Sequence, residues 1–527
     1  MGLPDKITLS PASAEFVSNL SMDPGSNVSR YLAIIKSIVS SIQESLAVPR
    51  IFGQAAPDTA YSAPIFRLPV EILFEIFGCL DDDQNHWKPR GPPITNRIRR
   101  RTLAPDASLD PAILAQVCML WRAIALSTPS FWSSIAIHCT RKQPNMHLLE
   151  AWLERSGDAP LSIVFVESIY GFEGHMINTE DPVSNPFSSE VMTILMAHSH
   201  RWKAVDFRFA RRIPEVMSGL KPGSLPILET AVLSSRYSID LPYGKLPPLE
   251  EVWDAFHSSQ SLTRGYWEID YLESNLKKIP WSRLTSIEVT MMIASLFEVL
   301  PQLQNLVDLH FIDPYSCYNA HLLQFPERRP TSEAPVTLPY LRKLHLVTMR
   351  TADEIFNKLT LPSLVSVHVE QKRVWLYRPD PSVFRELLLR SRCSLKEYIY
   401  DISGDPIAED ILLDILSSQT MSSLKYLTVE PPVTEKFTDV LTRNLSESNA
   451  RILPQLEHLA LRWCKDSSGG LLAMARSRSR KFKGYGLAAL CELQVWRWNK
   501  TLPEGEGLDD GANELEGMSL NIGAYFP

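Results

Sequence analysis

Residues able to do nucleophilic, acid–base or metal chemistry are present in this chain but are not assembled. His198-Ser199-His200 is the one close histidine pair, and no Cys, Asp or Glu stands near it at ligand spacing, so it does not read as a zinc site. Cys118 falls within an apolar helical stripe and reads as a small buried hydrophobe rather than a nucleophile. The pair Asp509-Asp510 sits in an acidic, glycine-rich tail, where no pocket would raise a carboxyl pKa for acid–base work. Neither common glycine-rich phosphate loop occurs, nor a GxSxG elbow. The residues therefore point to no catalysis, no cofactor and no metal. The most basic stretch, Ala475 to Gly486 (ARSRSRKFKGYG), is read as a solvated helix or loop, with docking of a phosphate or an acidic partner as the alternative.

Composition narrows the class further. The 527 residues are 45% hydrophobic and 21% charged, as in a folded, soluble protein, and are too many for one compact core unless the chain is a repeat array. A net charge of −7 argues against a general nucleic-acid binder. No apolar run is long enough to span a membrane, and MGLPDKITLSPASAEF lacks the pattern of a secretory signal. Seven cysteines without a CxxC pair fit a reducing cytosol or nucleus.

Two apolar helical patterns stand near the front. In FRLPVEILFEIFGCL, Pro69 sits at a helix start, and Ile72, Leu73, Ile76, Phe77 and Leu80 recur at helical spacing. In the second, Asp110-Pro111 opens a helix carrying Leu114, Val117, Cys118, Trp121, Ile124 and Ala125, and Thr128-Pro129 stops it before Phe131, Trp132 and Ile135. An insertion over 81–109 separates them. Residues 1–64 are expected to be a mobile N-terminus with an amphipathic helix near 28–46, marked by Leu32, Ile35, Val39, Ile42 and Leu46.

Beyond Thr140 one phrase recurs: an apolar residue, two others, an apolar residue, one other, an apolar residue. Copies open at Trp202, Leu228, Leu284, Leu306, Leu341, Leu364, Leu395, Leu424, Leu456 and Leu490, with weaker ones at Leu161 and Leu249. Most steps are 22 to 35 residues, the step from Leu228 to Leu284 being longer. Leu-Pro introduces several copies, at Leu225, Leu300, Leu338, Leu361 and Leu453, and helical stretches lie between copies. A strand phrase alternating with a helix at this period is the leucine-rich-repeat signature: each unit has an apolar face too small to be stable alone, so units stack. The Asn or Cys that usually follows the last apolar position is mostly missing, Cys464 being the clearest instance, which predicts an irregular horseshoe. The expected fold class is therefore α/β. Residues 141–500 form the repeat solenoid, and 501–527 an acidic flexible tail.

The front segment resembles the F-box, the short helical domain that docks onto the Skp adaptor of cullin-based ubiquitin ligases. Leu68-Pro69, Glu71-Ile72-Leu73, Ile76-Phe77, Val117-Cys118, Trp121-Arg122 and Phe131-Trp132 occupy the places of the family's pattern. The late Phe-Trp and the long spacer depart from the family's usual form, and the spacer's length is closer to the enlarged F-box families of fungi. The resemblance implies an all-helical F-box-like domain over 65–140. It also implies adaptor-binding residues Leu68, Pro69, Ile72, Leu73 and Ile76, with Val117, Cys118 and Trp121 shared between that contact and the domain's own core. It implies a non-catalytic adaptor: Skp and, through it, a cullin on one side, a client protein on the repeats on the other. Two alternatives share the architecture. One is a Skp-bound scaffold or regulator acting outside ubiquitin ligases; the other is a receptor gated by a small molecule, for which the basic stretch Arg476 to Lys483 is the hint.

Overall fold

The turn that opens four of the repeats follows directly from a Leu-Pro-x-Leu sequence. Proline fixes φ near the value that the second residue of a β-turn needs. The N–H of the leucine that begins the phrase then donates to the carbonyl of the leucine before the proline. This bond is 3.4 Å from Leu228 to Leu225, 3.4 Å from Leu341 to Leu338, 3.2 Å from Leu364 to Leu361 and 3.3 Å from Leu456 to Leu453. Both leucines of each turn are buried, so the turn is pinned to the core as well as hydrogen-bonded.

The computed structural model describes residue 73 and residues 111–139, 145–167, 186–209, 213–235, 247–268, 272, 275–314, 334–348, 352–371, 379–402, 407–442, 452–464, 470–479, 488–497 and 519–524. Two compact units divide the chain. The first takes Met1–Lys88, Ile98–Ala136 and Leu148–Ala159, and the second takes Pro89–Arg97, Ile137–His147 and Pro160–Pro527.

The described strands are β1 (Ser134–Cys139), β2 (Leu161–Glu167), β3 (Trp202–Phe209), β4 (Thr230–Ser235), β5 (Arg264–Trp267), β6 (Ser286–Thr290), β7 (Asp308–Ile312), β8 (Val336–Thr337), β9 (Lys343–Thr348), β10 (Leu359–Thr360), β11 (Ser366–Gln371), β12 (Glu397–Ile402), β13 (Tyr426–Val433), β14 (His458–Cys464), β15 (Glu492–Arg497) and β16 (Ser519–Ala524). Fourteen of them form one sheet in chain order, β8 and β10 making a separate parallel pair. Each neighbouring pair from β2 to β16 is parallel. A parallel neighbour requires a crossover connection, and helices such as Ile293–Val299, Pro381–Ser391 and Ile407–Leu416 lie in those crossovers. The protein is thus mixed α/β, with a large parallel sheet.

All ten strong copies of the phrase run into strands of this sheet, and their apolar positions, for instance Leu456, Leu459 and Leu461, are buried. Strand alternation sends the residues between them to the opposite face. The weaker copy at Leu161 is also a strand, whereas the one at Leu249 lies in the helix Pro247–Ser258. There Val252, Trp253, Ala255 and Phe256 are buried, a spacing that suits one side of a helix. The strand missing from the long step is β5. Its sequence, Leu262-Thr-Arg-Gly-Tyr-Trp267, has Gly265 at the middle apolar position. The Trp267 indole fills the space: a Cβ at 265 would lie 2.6 Å from its Cζ3 and 2.8 Å from its Cζ2.

Three arginines tie successive repeats together. The last carbonyls of a helix have no partner within it. Arg283 Nη2 donates to the His257 carbonyl at 2.8 Å, and Arg390 Nη2 to that of Phe356 at 2.7 Å, each near the end of the preceding helix. Arg478 donates to the carbonyls of Leu441 (2.8 Å), Ile452 (2.9 Å) and Leu453 (3.1 Å). Its place within the basic stretch is therefore structural: it is buried, and its guanidinium is committed to backbone.

Some expectations are corrected or left aside. The described part of 65–140 is not all-helical, because β1 follows the helices. Residues 519–524 of the expected flexible tail form β16 on the edge of β15. The helix near 28–46, the insertion 81–109 and the basic residues 480–483 lie outside the described residues.

Candidate functional site

In the first unit, the expected single helix after Asp110 is two helices, Pro111–Val117 and Met119–Ser127. Cys118 breaks them with an extended backbone, φ −157° and ψ 172°, and caps the second: its Sγ accepts from the Trp121 N–H at 3.4 Å. Cys118 is thus half-buried at an N-cap rather than sunk in the stripe. A short 3₁₀ turn, Pro129–Trp132, follows.

The core of this unit gathers Leu73, Leu114, Trp121, Ile124, Ala125, Phe131 and Trp132, with Val117, Cys118 and Trp152 packed at its margin. The structure therefore brings together Leu73, Val117, Cys118 and Trp121 of the residues implied as adaptor-binding, and it buries Leu73 and Trp121. Leu68, Pro69, Ile72 and Ile76 lie outside the described residues. Trp132 stands edge-on to Trp152, with ring centroids 5.1 Å apart, and the Arg155 guanidinium lies 4.5 Å over the Trp132 ring.

The helix Met119–Ser127 is apolar on its outer side as well. Met119, Leu120 and Leu126 are 89%, 39% and 43% exposed, and Ala123 is exposed between them. These positions follow i, i+1, i+4 and i+7, which makes one continuous face. Apolar residues gathered on one exposed helix face make a hydrophobic surface patch. The sequence did hold the signal: Met119, Leu120 and Leu126 fall off the core stripe and are apolar all the same.

In the second unit the polar face of the sheet carries rows of aligned side chains. One row runs Glu288, His310, His345, His368 across β6, β7, β9 and β11. The imidazoles of His310 and His345 stack with centroids 3.9 Å apart and planes 4° apart; those of His345 and His368 are 3.8 Å and 11° apart. Glu288 Oε2 lies 3.3 Å from His310 Nδ1. Burial and the two flanking rings hold the His345 pKa well below the usual histidine range. A second row includes Ser366, whose Oγ donates to Glu397 Oε2 at 2.6 Å, then Tyr426 stacked on His458 at 4.6 Å. His458 Nδ1 in turn lies 3.1 Å from Glu492 Oε2, and hydrogen bonds from Gln494 and His458 hold that carboxyl below its ordinary value.

These arrangements do not make a metal centre. Parallel stacked rings direct their in-plane nitrogen lone pairs side by side rather than toward one point, and tetrahedral ligation needs convergence. Among the described residues no group of three or more His, Cys, Asp or Glu is placed to hold a metal. His198 is the N-cap of a 3₁₀ turn before β3 that contains His200, and Arg201 Nη2 lies 3.3 Å from His198 Nδ1. No helix among the described residues is long and apolar enough to cross a membrane.

No family model matches this chain. No curated protein matches it either. Among solved structures, a Bacteroides fragilis protein determined by a structural genomics consortium is similar at 16% identity, covering 43% of this chain and 74% of its own, with a TM-score of 0.27. A likeness at that score carries no argument about what either protein does.

Proposed function

We propose that this chain is a non-catalytic, substrate-recruiting adaptor of a Skp–cullin–F-box ubiquitin ligase, working in the cytoplasm or nucleus. The F-box-like segment docks the Skp adaptor, and an irregular leucine-rich-repeat array holds a client protein. The observation that carries the reading is the exposed apolar face Met119–Leu120–Ala123–Leu126, on the helix that bears the Trp-Arg of the F-box pattern. Such a face costs hydration free energy until a partner covers it. The chain-ordered parallel strands, one for each strong copy of the phrase, support the repeat reading, and repeats of this kind present extended binding surfaces. The chain's contribution is then proximity: holding a client lysine near the loaded conjugating enzyme turns a bimolecular encounter into a local one.

The test is affinity capture of the full chain beside the variant Met119→Glu/Leu126→Glu. Both positions are exposed, so the variant keeps its fold. Skp and cullin accompany the wild type and are lost from the variant. Retention of both by the variant would falsify the docking face, and capture of Skp without cullin by the wild type would assign the scaffold role instead.

A further inference from the structure

Three consecutive copies of the repeat phrase place histidine at one position: Leu-Val-Asp-Leu-His310, Leu-Arg-Lys-Leu-His345 and Leu-Val-Ser-Val-His368. Because the strands pair in register, the three rings stack face to face across the sheet, with Glu288 continuing the row at one end. The Nε2 atoms of all three rings are shielded from water. The titratable and charged groups that share this face from β3 to β12 are Asp206 and Arg208 on β3, Arg264 and Tyr266 on β5, Glu288 on β6, Asp308 on β7, Lys343 on β9, Glu370 on β11, and Glu397 and Asp401 on β12.

We propose that the row Glu288–His310–His345–His368 is a proton-responsive clasp: stacked while its imidazoles are neutral, it parts on acidification toward pH 5 and loosens β7, β9 and β11. The end ring, His310, has a carboxylate to turn to, with Glu288 Oε2 at 3.3 Å from its Nδ1. The middle ring has no such outlet. Protonated beside a protonated neighbour, it would hold two like charges within 3.9 Å in a desolvated setting, where their repulsion far exceeds thermal energy. Lys343 on its own strand adds to that repulsion. Glu288, Asp308 and Glu370 oppose it from neighbouring strands. Burial raises the Asp308 carboxyl pKa from its ordinary value.

The sign follows from linkage. An unfolded histidine takes up its proton near pH 6.5, while the folded His345 resists doing so, so acid favours the opened state. For one such ring the opened population rises roughly 30-fold from pH 7.5 to pH 5. Amide hydrogen exchange of the full chain at the two pH values, corrected for intrinsic rates, reads this in peptides over β7, β9 and β11, with β2 as reference. The wild type shows the rise in those peptides over the reference, and His345→Gln does not. An equal rise in the variant overturns the proposal. Should the variant not fold, exchange at the histidine C2 position in the wild type decides: His345 protonating near pH 6.5 with no loosening of its strand overturns it.

Discussion

Trp132 Nε1 donates to the Ala125 carbonyl at 2.7 Å and closes a gap that the sequence itself opens. In a continuing helix the Ala125 carbonyl would accept from residue 129, but Pro129 has no N–H. The neighbouring carbonyl of Ile124 is satisfied in a similar way, by Thr128 Oγ1 at 2.7 Å. The late tryptophan of this segment is therefore a cap for the helix Met119–Ser127 as much as a core residue. Trp132→Phe keeps the ring and strands the buried carbonyl, so it costs about 1–3 kcal/mol. Unfolding of the variant in urea, followed by far-UV circular dichroism, shows the loss as a lower midpoint.

Arg478 plays the corresponding part between repeats. Its three donated bonds end on the carbonyl of Leu441, at the end of the helix Glu435–Leu441, and on those of Ile452 and Leu453, and the side chain is buried. Arg478→Ala is expected to cost on the order of 3 kcal/mol. Arg478→Lys should recover little, because an ammonium cannot span carbonyls arranged for a planar fork. Arg476, two residues earlier and exposed, serves as the control: Arg476→Ala stays within about 0.5 kcal/mol of wild type. Equal effects at 476 and 478 would show that stretch acting only through its charge.

Much of the parallel sheet was legible because its period-two phrase and its Leu-Pro turns are local rules, each satisfied within a few residues. Leu341, Leu344 and Leu346 could hardly be buried together in any other conformation. The phrase misled at Leu249, where Leu249, Val252, Trp253 and Phe256 satisfy a helical period equally well. The histidine row was also present in the sequence, at one phrase position of three successive copies, but a lone copy gives no sign of it. The arginine ties were not legible. Their acceptors are backbone carbonyls 25 to 37 residues away in the case of Arg478, and backbone leaves no mark on residue type. In the first unit the outward face of Met119–Ser127 was not legible from the core stripe, because positions off that stripe ordinarily face solvent.

Gly265 offers a sharper test of the packing. The Trp267 indole passes so close to it that any Cβ must displace the ring, and the ring is held by a bond from its Nε1 to His257 Nε2 at 3.2 Å. Gly265→Ala is expected to destabilise by about 2 kcal/mol through overpacking. Trp267→Leu costs stability by itself, yet adding Gly265→Ala to it costs far less than in the wild type, because the clash has gone. Denaturant midpoints of the two single variants and the double variant measure this coupling. Simple additivity would mean that the ring moves aside freely.

His257 supplies the remaining prediction, a pH dependence with a definite sign. Burial, reinforced by the positive charges of Arg283 and Lys278, lowers its pKa to about 3. Its ring is stacked on Trp253, with centroids 5.3 Å apart, and accepts the Trp267 indole bond, which a proton on that nitrogen would abolish. In the unfolded chain the same side chain titrates near pH 6.5, so between about pH 6.5 and about pH 3 only the unfolded state gains the proton. Stability is unaffected by this group above that window and falls as the pH drops through it, by about 1.4 kcal/mol per unit. Other depressed histidines, His345 among them, add slopes of the same sign, so the wild-type profile does not isolate one residue. His257→Gln removes a single contribution: between pH 7.5 and pH 5.5 its loss of stability is smaller than that of the wild type by about 1.4 kcal/mol. Parallel profiles for the two proteins would mean that His257 accepts its proton in the folded state and that the indole bond does not hold the ring neutral.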